Sequence, residues 1–144
     1  MGKFSILVAE DDADDRFLMQ TALDETRSEE KIKFVENGIE LLSYLDHLKE
    51  INGEIDFPKF ILLDLNMPKM DGREALINLK ANSAFKKIPV IIFSTTKNET
   101  EVRRCYDLGA NTYIVKPVSF DSLVNTINHI CTYWFKTATL PRSS

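Results

Sequence analysis

The stretch Phe60-Ile61-Leu62-Leu63-Asp64-Leu65-Asn66-Met67-Pro68-Lys69-Met70-Asp71-Gly72 sets four consecutive apolar residues directly before a carboxylate and follows them with a turn marked by Pro and Gly. An apolar run of that length without polar alternation predicts a strand covered on both faces, as in a parallel sheet between two helical layers. Asp64 then stands at the carboxyl end of the strand, the edge where open parallel sheets bind their ligands. Asp71 before Gly72-Arg73-Glu74 offers a side-chain acceptor and a Glu at the third helical position, which signals a helix start.

The same pattern recurs outward from this stretch. Residues 4–9, 32–35, 90–93 and 113–115 are further short apolar runs and predict four more strands. Between them lie helical spacings. Leu123, Ile127, Ile130, Cys131 and Trp134 make one stripe, Leu41, Leu42, Leu45 and Leu48 a second, and Phe17, Leu18, Ala22 and Leu23 a third. Gly109 after Leu108 predicts a left-handed residue ending the fourth helix. Five βα units imply an α/β fold: a single-domain, doubly wound, five-stranded parallel sheet with helices on both faces, joined by right-handed crossovers. The segment 50–59, with Gly53 and Pro58, reads as a longer loop. The domain is expected to occupy residues 1–136, leaving 137–144, small, polar and containing Pro141, as a poorly ordered tail.

Composition narrows the function. A chain of 144 residues with 44% hydrophobic and 28% charged residues fits one globular domain. Its net charge of −4 has the wrong sign for neutralising nucleic-acid phosphates. No apolar run approaches the ~18 residues of a membrane span. Residues 4–9 run straight into acidic residues without a secretory cleavage segment. Cys105 and Cys131 are far apart and form no CxxC pair, so neither zinc nor a disulfide is indicated and a reduced, cytoplasmic compartment is the simplest expectation. His47 and His129 lack metal-type neighbours.

Chemistry concentrates at the predicted strand ends, which carry Glu10-Asp11-Asp12, Asp64, Ser94-Thr95 and Lys116-Pro117. Asp12 can cap the first helix, and Asp14 and Asp15 suit its first turn, where negative charge gains ~0.3–1 kcal/mol. Capping leaves Glu10, Asp11 and Asp64 unexplained. Three carboxylates at one sheet edge repel one another unless a cation sits among them, and a hard divalent ion such as Mg2+ takes carboxylates, waters and a phosphoryl oxygen together. The plainer alternative is that they are caps and loop residues. Asp64 is also a competent nucleophile toward phosphorus, with Lys116 and Ser94 placed to bind the transferred oxygens. Without that chemistry Lys116 reads as half of a strand-end salt bridge and Ser94 as a loop or cap hydroxyl.

These residues resemble the receiver domains of two-component response regulators, the CheY-like family, over residues 4 to about 134. The resemblance rests on Ile6-Leu7-Val8-Ala9-Glu10-Asp11-Asp12, on residues 62–72, on Ile88-Pro89-Val90-Ile91-Ile92-Phe93-Ser94-Thr95 and on residues 108–117. It implies strand order 2-1-3-4-5 and a phosphoprotein that catalyses only its own phosphorylation and slow autodephosphorylation. Asp64 is then the phosphoacceptor, charged by a sensor histidine kinase. Glu10, Asp11, Asp64 and the backbone carbonyl of Asn66 would hold Mg2+. Ser94 and Tyr113 would be the switch pair, with Tyr113 turning inward on activation, and the Lys116–Pro117 bond is expected to be cis. The acidic pair is Glu-Asp rather than Asp-Asp, and the switch hydroxyl is Ser rather than Thr.

The loop before the third strand, Ser94-Thr95-Thr96-Lys97, residues 106–111 and the end through Tyr133-Trp134-Phe135 look like stand-alone receivers paired with phytochrome-type kinases. Too few residues follow the last helix for an output module, so signalling through the protein's own surface is expected, with a homodimer through the fourth helix, fifth strand and fifth helix as one outlet. Two other classes compete. An aspartyl-phosphate hydrolase would want a second Asp where Asn66 stands, and a cap domain. A phosphorylation-independent scaffold would have lost parts of the acidic pocket, yet all are present.

Overall fold

A computed structural model describes residues 4–52 and 57–141. Its elements alternate as β1 (Ile6–Ala9), α1 (Ala13–Glu25), β2 (Ile32–Val35), α2 (Gly38–Asn52), β3 (Phe60–Leu63), α3 (Gly72–Ala81), β4 (Val90–Ser94), α4 (Glu99–Asp107), β5 (Thr112–Val115) and α5 (Phe120–Thr132). The five strands form one parallel sheet in the order β2-β1-β3-β4-β5. Order and fold class agree with the expectation.

The continuous apolar runs are explained by two separate cores. Along β1, Leu7 and Ala9 join a cluster with Leu41, Leu45, Leu76 and Leu79 from α2 and α3. Ile6 and Val8 face the other way, onto Met19 and Leu23 of α1 and Leu123, Ile127 and Ile130 of α5. The three central strands β1, β3 and β4 are therefore buried on both sides, whereas the edge strands β2 and β5 are only partly covered and carry Lys33 and Thr112.

Local signals place the helices. Asp12 Oδ1 accepts from the amides of Asp14 and Asp15 at 2.8 and 3.1 Å, and Asp71 Oδ1 accepts from Glu74 N at 3.0 Å. Gly109 adopts φ 108°, the left-handed conformation that ends α4. Gly72 is required for another reason: a Cβ there would lie 2.2 Å from the Asp64 carbonyl oxygen, so only glycine lets α3 start this close to the end of β3.

Three expectations change. The buried face of α1 is Met19, Ala22 and Leu23, while Phe17 is 70% exposed and Leu18 40%. The Asp12 cap fixes where the helix begins, and the inward stripe then falls one residue later than the apolar spacing suggested. Phe4 lies outside β1 and is exposed. At the other end a π-helical turn, Tyr133–Thr137, carries the chain past α5 and sets Trp134 and Phe135 against Phe60, with ring centroids 6.5 and 5.4 Å away. Ordered packing thus reaches the start of the expected tail, whose residues 142–144 lie outside the described ones. Of the expected loop 50–59, residues 50–52 close α2 and 53–56 lie outside the described residues. No helix among the described residues is long and apolar enough to cross a membrane.

The two faces of α1 should respond differently to substitution. Leu23→Ala should cost ~2–5 kcal/mol by opening a cavity, whereas Phe17→Ser should stay within ~0.5 kcal/mol of the unaltered protein. Urea unfolding of the two variants checks this, and equal losses would contradict the placement of α1.

Candidate functional site

Parallel register brings the predicted residues to one edge. Ala9 pairs with Leu63, so Glu10 and Asp64 leave adjacent strands side by side, with Asp64 N donating to Ala9 O at 3.1 Å. Glu10 and Asp64 are 2% and 8% exposed, whereas Asp11 lies open to solvent. Carboxylate oxygens of Glu10, Asp11 and Asp64 all lie within 4.8 Å of one another. This is a hard, all-oxygen donor set with one side open, which fits a divalent cation that retains water. Burial raises the carboxyl pKa of Glu10, opposed by its bond to Lys116 and reinforced by the Asp64 charge. Burial likewise raises that of Asp64; Lys116 opposes the shift and Asp11 adds to it.

The Lys116 ammonium is the counter-charge present. It hydrogen-bonds Glu10 Oε1, lies 3.3 Å from Asp15 Oδ2 and 3.7 Å from Asp64 Oδ2. Burial alone would lower its pKa, but Glu10, Asp64 and Asp15 outweigh burial and raise it. Lys116 therefore does form a strand-end salt bridge, and with Glu10 and Asp64, two of the carboxylates expected to bind the cation. The expected cis bond to Pro117 is absent. The bond is trans, the form X–Pro favours by ~0.5–1 kcal/mol, and Lys116 reaches the cluster from it while its N–H donates to Ser94 O at 2.9 Å.

Ser94, at the end of β4, is fully buried. Tyr113 is half-buried on β5, and its hydroxyl donates to Thr96 O at 2.9 Å, in the loop between β4 and α4. Burial raises its phenol pKa, with the Ser94 hydroxyl pulling the other way. The Thr96 carbonyl gives the half-buried phenol its acceptor. Tyr106 of α4 in turn accepts from Tyr113 N at 3.0 Å. Asn66 lies on the loop after β3, its backbone N–H turned toward the Asp64 carboxylate, while Leu65 N donates to Asp64 Oδ1 at 2.9 Å.

Sequence reasoning missed several participants. Helix-start charge does not account for Asp15, which touches Lys116. Arg16 Nη1 donates to Glu10 O at 2.9 Å and so holds that strand end. Arg73, directly after Gly72, pairs with Glu101 and ties α3 to α4. These contacts join residues far apart in the chain, and no local motif announces them. Both cysteines are free thiols. Cys105 is buried, and burial near Glu30 pushes the Cys131 thiol up to about 11. Neither has the lowered pKa of a reactive thiolate.

A sequence model of the response regulator receiver domain matches residues 6–128. Response regulator Rcp1 of Synechocystis sp. is 35% identical over 136 residues, covering 94% of this chain and 92% of Rcp1. The structure of the Mn2+-bound form of Rcp1 superposes with a TM-score of 0.80, at 34% identity over 94% of this chain and 97% of that one. The phosphorylated cyanobacterial phytochrome response regulator RcpA gives a TM-score of 0.84 at 38% identity, covering 94% and 96% of the two chains. Response regulator RPA3017, in red light signaling of R. palustris, gives 0.88 at 30% identity over 97% and 99%. With its carboxylate cluster, its lysine and its sheet order all in place, the chain belongs to the response regulator receiver family.

Proposed function

We propose that the protein is a single-domain response regulator that takes a phosphoryl group onto Asp64 from a phosphohistidine of a sensor histidine kinase, of the phytochrome-associated kind that the RcpA relative suggests. The observation that carries this is Asp64 itself, buried at the end of β3 within 4.8 Å of two further carboxylates and beside Lys116. Glu10 and Asp11, with Asp64 and the carbonyl of Asn66, would hold Mg2+, which would supply charge neutralisation for the transferring oxygens. Asp64 Oδ2 attacks phosphorus, the P–N bond breaks and the imidazole leaves. Lys116 and the Ser94 hydroxyl then bind the phosphoryl oxygens. In this reading the chain turns over no other substrate. Asn66 in place of a second Asp gives a hydrolase no acid–base group at that position. The domain is taken as residues 1–136, with 137–144 as its tail, and a cytoplasmic location follows from the kinase partner.

Signal output follows from the loop between β4 and α4. A phosphoryl group that draws Ser94 toward Asp64 pulls on Thr96 two residues later, and Thr96 is what Tyr113 holds. The result is a shift among positions of α4 that the protein already samples. The kinase would approach over Leu18 and Pro117, which line a hollow with Asp15 and Lys116, flanked by the exposed Phe17 and Val118. A homodimer through α4, β5 and α5 would use Val102, Tyr106 and Tyr113, assisted by the tail.

Acetyl phosphate with Mg2+ should add one phosphoryl group by mass, and Asp64→Asn should abolish it; an adduct that survives this substitution would exclude Asp64. Stability should carry the mark of the buried carboxyls. Their raised pKa values mean the fold binds protons more tightly than the unfolded chain, so their contribution is present at acid pH and lost as pH rises through the folded values. Thermal unfolding in chelator should therefore weaken toward pH 7, with Mg2+ restoring roughly 2.7 kcal/mol at a hundredfold excess over its Kd and far less near pH 4. Deleting residues 138–144 spares Trp134 and Phe135 and should weaken self-association in sedimentation; an unchanged profile at high concentration would remove the tail from the interface.

A further inference from the structure

In the acidic run at the start of α1, Asp15 makes a contact that neither capping nor metal binding explains. Asp12 caps the helix, and Glu10 and Asp11 belong to the carboxylate cluster. Asp14 touches nothing at the site beyond donating its amide to the cap. Asp15, one residue on, turns its carboxylate to the Lys116 ammonium at 3.3 Å. An ammonium has three protons, and here three carboxylates surround it: Glu10 closest, Asp15 next, and Asp64 beyond hydrogen-bond distance at 3.7 Å.

From this arrangement we infer that Asp15 is a positioning residue for phosphoryl transfer, acting through Lys116 to keep the ammonium off the nucleophile until the phosphoryl group arrives. The inference rests on Asp64 being the phosphoacceptor. The Oδ1 atom of Asp64 already accepts from Leu65 N, and Oδ2 faces Lys116. An ammonium bonded directly to Oδ2 would tie up the electron pair that must attack phosphorus. Glu10 cannot guard against this alone, because it belongs to the cluster that would bind the divalent ion, and its oxygens are then shared. Asp15 lies outside that cluster, so its hold on Lys116 persists. Its backbone is fixed by the Asp12 cap, and Leu18, Met19 and Leu123 line the hollow beside the two groups, limiting the ways in which the ion pair can move. Once phosphorus is bonded to Asp64, its oxygens offer Lys116 a stronger partner, and the ammonium can turn to them without leaving Asp15.

The test compares Asp15→Asn, Asp15→Glu and Asp14→Asn in the full chain. It measures the rate of phosphorylation at saturating acetyl phosphate and Mg2+, and separately the Mg2+ affinity by calorimetry. Asp15→Asn should slow transfer on the order of tenfold, the scale on which partners that orient a working side chain act. Mg2+ affinity should remain within about twofold, as expected for a charge outside the coordination cluster. Asp15→Glu should recover most of the rate, and Asp14→Asn, which removes the same charge from the same turn, should match the unaltered protein. An equal or faster rate for Asp15→Asn would overturn the inference. So would an equal loss in Asp14→Asn, or a loss that parallels weakened Mg2+ binding. Failure of the unaltered protein to take up any phosphoryl group would instead overturn the reading of Asp64.

Discussion

Two carboxylates, Glu10 and Asp64, are buried side by side at the carboxyl edge of the sheet, and the rest of the site is organised by the cost of keeping them there. Burial raises both pKa values, so their ionised forms oppose the fold unless a cation answers them. Lys116 gives that answer from the residue just past β5, after the chain's last crossover. Its contacts to residues more than a hundred positions earlier in sequence close the sheet edge. A second cation among Glu10, Asp11 and Asp64 would complete the neutralisation and at the same time assemble the reacting groups.

The same packing links chemistry to surface. Gly72 brings the start of α3 against the Asp64 backbone, and Arg73 beside it pairs with Glu101 on α4. From the other side Lys116 N holds Ser94 O, and Tyr113 holds Thr96. The segment from Ser94 to α4 is therefore gripped from β5 and from α3, both of which border the acidic pocket. In the proposed reading a change of charge at Asp64 would reach α4 by way of these contacts, between two cores that are packed on both faces of the sheet.

Much of this was legible in the residues themselves. Runs such as Phe60-Ile61-Leu62-Leu63 announced strands because a strand covered on both faces must be apolar throughout, and the residues closing those runs gave the site. Glu10, Asp11, Asp64, Ser94 and Lys116 were found because each follows an apolar run at the same sheet edge. The phase of α1 was not legible, since Phe17-Leu18-Met19 offers three adjacent apolar residues and only the Asp12 cap decides which of them faces the sheet. The hydrogen bond of Tyr113 likewise depends on a partner in another segment, Thr96.

The order of apolar runs, cap residues and strand-end carboxylates along the chain determined the fold class and the chemical inventory, because local periodicity and local hydrogen bonding require only neighbours in sequence. Which atoms meet was decided by tertiary structure alone. Asp14 and Asp15 are equivalent as helix-start charges, and only the direction in which α1 leaves the sheet turns Asp15, and not Asp14, onto Lys116. The physical reason is that an ion pair is set by distance through space, which the sequence fixes only after the whole sheet has closed.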